Sequence, residues 1–236
     1  MMNIFRLGAN ADSFRYERKF VISELNKYEV ESIIKRHPAC FSEIFHQRTV
    51  NNIYFDSQDM VNYLDNECGA SQRIKVRIRW YERLFGMIEK PVLELKIKGG
   101  QLGNKISFPL LPFKLDAEFS FNSVKDVFRR SDIPETVREE LMAMQVTLLN
   151  SYSRMYFQSA DRKYRLTLDW GMKHYTIDNV HNTFKKKKDD YLNTVLEVKY
   201  SDDNDDNAHA ITDYFPFSLS RNSKYMVGID NLSGLR

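Results

Sequence analysis

The stretch RIKVRIRWY, residues 73 to 81, places a basic side chain at every second position, with Ile74, Val76, Ile78 and Trp80 between the bases. This period-two alternation predicts a β-strand with one apolar and one cationic face. Neighbouring cations on such a face lie roughly 7 Å apart and repel by about 2 kcal/mol at an effective dielectric near 20. Exposure of the face to water is the ordinary alternative. A row of bases is better explained if an anion, such as a phosphate chain, lies across it.

Five other segments repeat this pattern: FRYERKFVI, VLELKIK, SYSRMYF, RLTLDW and VLEVKY. Together the six charged faces are strongly basic, although the whole chain has a net charge of only +3. Their members are Arg15, Lys19, Arg73, Lys75, Arg77, Arg79, Lys96, Lys98, Arg154, Arg165 and Lys199, against Glu17, Glu94, Asp169 and Glu197. A sheet with helices on its apolar face can curl the charged face inward. We therefore predict an α+β fold: an antiparallel closed β-barrel with a cationic lumen, wrapped by helices.

Further predicted elements complete this architecture. Strands are predicted near 14–22, 48–56, 72–82, 91–99, 104–110, 150–159, 163–170, 174–180, 191–200 and 221–227. Helices are predicted in SELNKYEVESIIKRH with Ser23 as its N-cap, SQDMVNYLDN, FNSVKDVFRR, PETVREELMAMQ with Pro134 in its first turn, and NAHAITDYF. KKKKDD, residues 185 to 190, is predicted to be a hairpin tip, and DDNDD, residues 202 to 206, a solvated loop.

Composition limits the classes of function. The 236 residues, 42% of them hydrophobic, suit one domain over residues 1–236. Two cysteines are too few for a disulfide framework, and no apolar run reaches the length of a membrane helix. We expect a cytoplasmic protein without direct membrane insertion. The small net charge, with no outward basic stripe interleaved with aromatic residues, disfavours nucleic acid as a partner.

In their order and spacing, RYERKF, YFDSQDMVNYLDN, RIKVRIRWY, LELKIKGG, SYSRMYF, RLTLD, LEVKY and SRNSKY resemble the triphosphate tunnel metalloenzymes, a CYTH-like superfamily. Within it they are most similar to the catalytic domain of the vacuolar transporter chaperone (VTC), which makes polyphosphate. The wider superfamily opens with Glu-x-Glu-x-Lys, but here Arg15 replaces the first Glu. This departure disfavours the hydrolase and cyclase branches.

The resemblance implies which residues form the site. The expected catalytic residues, which hold phosphates in the tunnel, are Lys19, Arg77, Arg79, Lys96, Arg154, Arg165 and Lys224. Tyr152, Lys199, Arg221 and Ser223 are the expected substrate-binding residues; Arg221 keeps the charge of the Lys in the family's K-x-S-K pattern. Glu197 is expected to hold Mg²⁺ or Mn²⁺, and either Glu17 or Glu94 could be a second ligand.

The resemblance also implies the reaction and the partners. ATP and polyphosphate are the expected substrates, with the γ-phosphate of ATP passed to a growing chain. The alternatives are a tripolyphosphatase or nucleoside triphosphatase in the same tunnel, or a binding module for polyphosphate without turnover. A membrane-protein partner that exports the product is compatible with the resemblance, but translocation by this chain itself is not expected.

Overall fold

The computed structural model describes residues 15–99 and 102–233. Within these ranges the elements are β1 (Arg15–Ile22), α1 (Lys27–Lys35), β2 (Ser42–Asp56), α2 (Val61–Glu67), β3 (Gln72–Tyr81), β4 (Gly86–Ile88), β5 (Val92–Gly99), β6 (Leu102–Pro109), β7 (Phe113–Leu115), α3 (Phe121–Arg130), α4 (Glu135–Met142), β8 (Gln145–Gln158), β9 (Arg165–Tyr175), β10 (Lys187–Asp190), β11 (Thr194–Ser201), α5 (Ala208–Thr212) and α6 (Lys224–Ser233). In this part of the chain, no helix combines the length and apolarity that a membrane span requires.

Eight strands form a closed antiparallel ring in the order β9, β11, β1, β6, β5, β3, β2 and β8, with β8 pairing back onto β9. Strand β10 extends the sheet beyond β9, and β4 and β7 form a separate two-stranded sheet. The closed sheet with its surrounding helices confirms the predicted fold class. Because the strands are antiparallel and closed, alternate residues of each strand face one enclosed lumen.

The outward faces of the ring are apolar and lie under the helices. On one side, Val76, Ile78 and Leu95 belong to a buried cluster with Phe128 of α3 and Leu141 of α4. Burial of one such side chain stabilises the fold by about 1.5–3 kcal/mol. Because the apolar faces of these strands point outward, their charged faces point into the lumen.

The second side of the ring has its own apolar cluster. Phe20, Leu168 and Val198 pack there with Val30 of α1 and Ile211 of α5. The two clusters together account for the alternation that the sequence shows, because each apolar strand face has a helix to cover it.

The helix starts differ from those predicted. Helix α1 is capped by Asn26 rather than Ser23: the Asn26 side chain accepts from the backbone N–H of Glu29, whose carboxylate accepts from the Asn26 N–H. This reciprocal capping box satisfies two helix-end donors that Ser23 lies too early to reach. Pro134 is the N-cap of α4 rather than part of its first turn.

Several predicted strand limits are also corrected. Strands β2 and β8 are longer than predicted because they pair with each other from Ser42↔Gln158 to Asp56↔Gln145. The predicted strand 174–180 is wrong beyond Tyr175: residues 174 and 175 are the end of β9, and residues 176–180 belong to no strand. Residues 187–190 of the predicted hairpin tip form β10, which pairs with β9. Phe14, at the start of the first predicted strand, lies outside the described residues.

The predicted strand at 221–227 is wrong, because Lys224 begins helix α6. The helix packs closely on the ring at Gly228, where an added Cβ would lie 2.4 Å from Leu148 Cδ2 and 2.8 Å from His174 Cδ2. Only a residue without a side chain allows this approach. The Tyr225 hydroxyl donates to Asp56 Oδ2 at 2.7 Å and fixes the helix to the end of β2.

Helix α6 closes part of one end of the lumen. Asp56 and Tyr54 share a face of β2 with Asn52, whose amide oxygen accepts from Arg79, so all three point inward. Tyr54 stacks on Tyr225 of α6 at a centroid distance of 5.1 Å. The helix therefore lies across the inner face of the strands.

Candidate active site

The inward faces of the ring surround a chamber of about 320 Å³. Its wall carries ten basic side chains and two carboxylates. The basic residues are Arg15, Lys19, Lys75, Arg77, Arg79, Lys96, Lys105, Arg154, Lys199 and Lys224; the carboxylates are Glu17 and Glu197. The chamber therefore has a large excess of positive charge, as the strand faces predicted.

The arginine ladder of β3 is partly compensated by a buried carboxylate. Arg77 donates to Glu94 Oε2 from Nε at 2.8 Å and from Nη2 at 2.6 Å, and Arg79 Nη1 lies 3.6 Å from the same oxygen. Lys105 donates to Glu94 Oε1 at 2.8 Å. Burial favours the neutral acid, but these three cations outweigh it and hold the pKa of Glu94 well below its usual range. Both oxygens of Glu94 are thus engaged.

A cluster of lysines surrounds two further carboxylates at the β1–β11 pair. Lys96 Nζ lies 2.6 Å from Glu17 Oε2, and Lys199 Nζ lies 3.1 Å from Glu197 Oε1. Lys19 lies between them, 3.8 Å from Glu17 and 3.9 Å from Glu197. Antiparallel pairing opposes Glu17 to Lys199 and Lys19 to Glu197, which places the two carboxylates in one neighbourhood.

These carboxylates remain ionised at neutral pH. Burial and the charge of Glu197 raise the pKa of Glu17, but Lys96, Lys19 and Lys199 lower it to about 2. The pKa of Glu197 is likewise held well below its usual range, because the surrounding lysines outweigh its burial. Burial is also the main reason that the pKa of Lys96 falls to about 8.

On β9, the neighbour of β11 in the ring, Asp169 joins two cations. Arg154 donates to its oxygens at 2.5 and 2.7 Å, and Lys224 Nζ lies 2.6 Å from Oδ2. Their charges overcome burial and lower the pKa of Asp169 to about 2. Tyr152 lies between the two cations, with its ring centroid 5.3 Å from the Arg154 guanidinium carbon and 5.0 Å from Lys224 Nζ. The ring of Tyr152 thus contacts both positive charges, those of Arg154 and Lys224.

The chamber continues into a second cavity of about 1240 Å³. The two cavities share Glu17, Lys19, Lys75, Lys96, Ser223 and Lys224. Beyond this shared wall, the second cavity is lined by four more basic residues, Arg18, Arg73, Lys98 and Arg221, and by two acidic residues, Glu67 and Asp190. Arg18 is paired with Asp205, so Arg73, Lys98 and Arg221 are the cations that could follow an extended anion from the chamber into the second cavity.

Most residues predicted for the site meet in the chamber. Lining it are Lys19, Arg77, Arg79, Lys96, Tyr152, Arg154, Glu197, Lys199, Ser223 and Lys224. Arg221 lines the second cavity instead. Arg165 lines neither cavity: it is exposed at the first position of β9, paired in register with Lys199 and Gln158 at the rim of the ring.

The chamber also contains residues that the sequence did not single out. Lys105 and Tyr54 line it, and so does Tyr225. Lys105 carried a usable signal, because it shares the inward parity of β6 with Gly103 and Ser107. Tyr54 and Tyr225 had none, since aromatic residues on a strand or helix are more often part of an apolar core.

The carboxylates fit a site for a hard divalent cation. Mg²⁺ and Mn²⁺ take oxygen ligands and need only one or two protein carboxylates when phosphates supply the rest. Glu197 and Glu17 are ionised and lie on the chamber wall, whereas Glu94 is occupied by Arg77 and Lys105. Among the described residues, no group of three or more His, Cys, Asp or Glu side chains could hold a metal by itself. Glu17 is therefore the better partner for Glu197.

Comparison with known families identifies the chain. The family model for the VTC domain matches residues 14–233. The chain belongs to the VTC domain family. A search of curated proteins finds no match. The VTC match spans all strands of the ring, so family membership and the cationic chamber refer to the same part of the chain.

Two solved structures share the fold of this VTC domain. One is a candidate adenylyl cyclase from Hippeastrum with a dominant triphosphatase activity; its TM-score is 0.53 at 12% identity, and the match covers 92% of this chain and 94% of that one. The other is a candidate adenylate cyclase from Vibrio parahaemolyticus, with a TM-score of 0.50 at 11% identity, covering 90% of this chain and 97% of that one. At these identities the similarity shows the tunnel fold alone.

Proposed function

We propose that this VTC domain is a polyphosphate polymerase that transfers the γ-phosphoryl group of ATP to the end of a polyphosphate chain. The observation that carries the proposal is the enclosed chamber in which ten basic side chains face two carboxylates. Such an excess of like charge is relieved by a multiply charged anion, and a triphosphate chain fits this requirement.

The chamber offers what phosphoryl transfer requires of a protein. A terminal oxygen of the acceptor chain attacks the γ-phosphorus, the bond from that phosphorus to the β–γ bridging oxygen breaks, and ADP leaves with the bond's electrons. Catalysis consists of in-line positioning and stabilisation of charge on the phosphate oxygens. Arg77, Arg79 and Arg154 can each bind two phosphate oxygens, and Lys19, Lys96 and Lys224 act as point charges around them.

Glu197, with Glu17 beside it, would hold the divalent metal. When bound there, Mg²⁺ or Mn²⁺ would supply positive charge that stabilises the phosphate oxygens during transfer. Lys19 and Lys199, which pair with Glu197, would then bind phosphate oxygens instead.

The second cavity favours a chain over water as the acceptor. A hydrolase needs room only for triphosphate and water, whereas a polymerase must also accommodate a long anion that leaves the chamber. Arg73, Lys98 and Arg221 continue the basic wall beyond the chamber and supply such a path. Uptake of the product by a membrane-protein partner remains a prediction.

Incubation with ATP and Mn²⁺, followed by gel electrophoresis, tests the proposal. A ladder of long chains is expected; free phosphate alone would indicate a triphosphatase, and no turnover would indicate a binding module. The double substitution Arg77→Ala, Arg79→Ala should abolish the ladder. Lys114→Ala is a matched control, because Lys114 is an exposed residue of β7 that pairs with Asp116 and does not line the chamber.

A further inference from the structure

One group of side chains beyond the chamber is unexplained by phosphate binding. Phe45, Arg48, Tyr81 and Tyr156, here called the rim cluster, lie at the end of the ring opposite α6. The guanidinium carbon of Arg48 lies 4.8 Å from the ring centroid of Phe45, 5.6 Å from that of Tyr81 and 5.8 Å from that of Tyr156. Two of these rings are open to solvent: Phe45 is 48% exposed and Tyr81 is 41% exposed.

The rim cluster continues the wall of the chamber. Tyr156 lies two residues beyond Arg154 on β8, and Tyr81 lies two residues beyond Arg79 on β3, so each shares a strand face with a chamber residue. Arg154 connects the two sites, because its guanidinium carbon is 5.3 Å from the Tyr152 ring and 5.8 Å from the Tyr156 ring. The rim cluster therefore adjoins the chamber wall through Arg154, which lines the chamber and contacts Tyr156.

The strand is irregular where it builds this cluster. The pairing of β2 with β8 shifts register between Glu43 and Phe45 and again between Phe45 and Arg48. Phe45 and Arg48 are three residues apart and would face opposite sides of a regular strand, yet Arg48 stacks on Phe45. Bulges of this kind re-aim side chains, often next to a functional site.

The guanidinium group of Arg48 has no acidic partner in the described part of the chain. Among residues 15–99 and 102–233, no carboxylate lies within ion-pairing distance of Arg48, although Arg154, its cross-strand neighbour, is paired with Asp169. Like charges directly opposite on a sheet are destabilising unless an anion or an aromatic ring offsets them. The cluster thus offers one half-buried cation and two exposed aromatic faces to a ligand.

We propose that the rim cluster binds the nucleobase of the nucleoside triphosphate whose phosphates occupy the chamber. Bases stack on aromatic rings and on guanidinium planes, and every base has the required π-face. A bare phosphate chain gains nothing from Phe45 or Tyr81, whereas a nucleotide joins a planar aromatic group to a phosphate chain. This inference rests on the proposed function, because it assigns the donor's phosphates to the chamber.

Calorimetric titration with ATP and with tripolyphosphate, at one fixed Mn²⁺ concentration, separates the base from the phosphates. The double substitution Phe45→Ala, Tyr81→Ala should weaken ATP binding about tenfold, the size expected for loss of a stacked base, and leave tripolyphosphate binding unchanged. Tyr81→Phe keeps the ring and should retain wild-type ATP affinity. Tyr28→Ala is the control: Tyr28 is an exposed ring that Lys27 contacts at 4.4 Å, but it lies on α1 and not on a strand of the ring.

The outcomes distinguish this inference from the proposed function. If the double variant binds ATP as tightly as wild type, or loses ATP and tripolyphosphate by the same factor, the base does not bind at the rim cluster and the inference is wrong. In that case, retained binding of tripolyphosphate by the wild type still supports the chamber. Wild-type protein that bound neither ligand would overturn the proposed function and this inference with it.

Discussion

Lys224, the first residue of α6, lies 2.6 Å from Asp169 Oδ2 in the middle of β9, so the helix that closes one end of the ring also supplies a cation to the chamber. The same carboxylate binds Arg154 through two hydrogen bonds. Asp169 is fully buried and never meets the lumen solvent directly. Asp169 thus fixes the positions of both cations at the chamber wall.

Lys224→Met should reduce tripolyphosphate affinity by at least tenfold, because a buried cation next to phosphate is worth on the order of 1.5–3 kcal/mol. The helix itself should stay docked through the Tyr225–Asp56 hydrogen bond. Tyr63→Phe is the matched control, since the Tyr63 hydroxyl donates to Asp230 at 2.6 Å and joins α2 to α6 away from the chamber. It should cost about 1 kcal/mol of stability and leave affinity intact. Equal affinities for Lys224→Met and wild type would remove Lys224 from the binding site.

Arg77 and Glu94 provide a prediction about stability. From the sequence alone, repulsion between the neighbouring basic side chains of β3 predicts that loss of Arg77 and Arg79 leaves the fold at least as stable. The structure reverses the expected sign, because Glu94 is only 4% exposed and accepts two hydrogen bonds from Arg77. Arg77→Met should therefore destabilise the protein by about 3–5 kcal/mol.

Glu94→Gln in the Arg77→Met background should recover much of that loss, since it removes a buried charge that Lys105 and Arg79 alone compensate only in part, while triphosphate binding stays weak. Urea denaturation and calorimetric titration of the two single variants and the double variant form the required cycle. Additive losses of stability would show that the two side chains do not interact energetically.

Local patterns in the sequence are sufficient to predict the ring and most of its lining. In each strand the alternation of apolar and charged residues shows which face is charged. Lys19, Arg77, Lys96 and Glu197 could therefore be assigned to the lumen without knowledge of the strand order. What the sequence does not show is which charges meet. Lys96 and Glu17 are 79 positions apart and become neighbours only because β6 pairs with both β1 and β5.

The errors at the C-terminal end have a physical cause as well. SKYMVG has two polar residues followed by the short apolar run YMV, residues 225–227, and an apolar run this short does not distinguish a strand from a helix. Tertiary packing determines that this segment is a helix, because Gly228 permits close packing against Leu148 and His174. The local sequence does not indicate this contact. Arg165 has the inward parity of its strand but lies at its first residue, where the wall ends.

His174 predicts a pH dependence of stability. It is fully buried under α6, and in the described part of the chain neither ring nitrogen has a hydrogen-bond partner. Burial, with a smaller effect from Lys224, lowers its pKa to about 4 despite opposing effects of Asp190 and Asp189. The unfolded chain therefore binds the proton more readily, and stability is lost as the pH falls below about 6.5.

At pH 5 this loss should amount to about 2 kcal/mol relative to pH 7.5. Thermal melts of wild type and His174→Leu over this range measure it, because carboxylate titration is common to both proteins. The stability difference between them should shift in favour of the variant as the pH falls. A difference that does not change with pH would show that His174 is not held neutral by burial.

Glu197 provides a test that separates a metal ligand from a counter-charge. As a ligand, Glu197→Gln loses the anionic oxygen that fixes Mg²⁺ or Mn²⁺ but keeps its size, so phosphates still bind to the lysines and arginines while transfer stops. As a mere counter-charge to Lys199 and Lys19, which lie 3.1 and 3.9 Å away, its neutralisation would make the chamber more positive and tighten anion binding.

The measurement is the rate as a function of Mn²⁺ concentration at saturating ATP, for wild type, Glu197→Gln and Glu17→Gln. We expect the largest loss of rate for Glu197→Gln and a higher metal midpoint for Glu17→Gln, because Glu17 lies on the chamber wall and its pKa of about 2 keeps it ionised. Glu94→Gln should leave the metal midpoint unchanged, since Arg77 and Lys105 already occupy both oxygens of Glu94. A near-normal rate at the wild-type midpoint for Glu197→Gln would assign the metal elsewhere in the chamber.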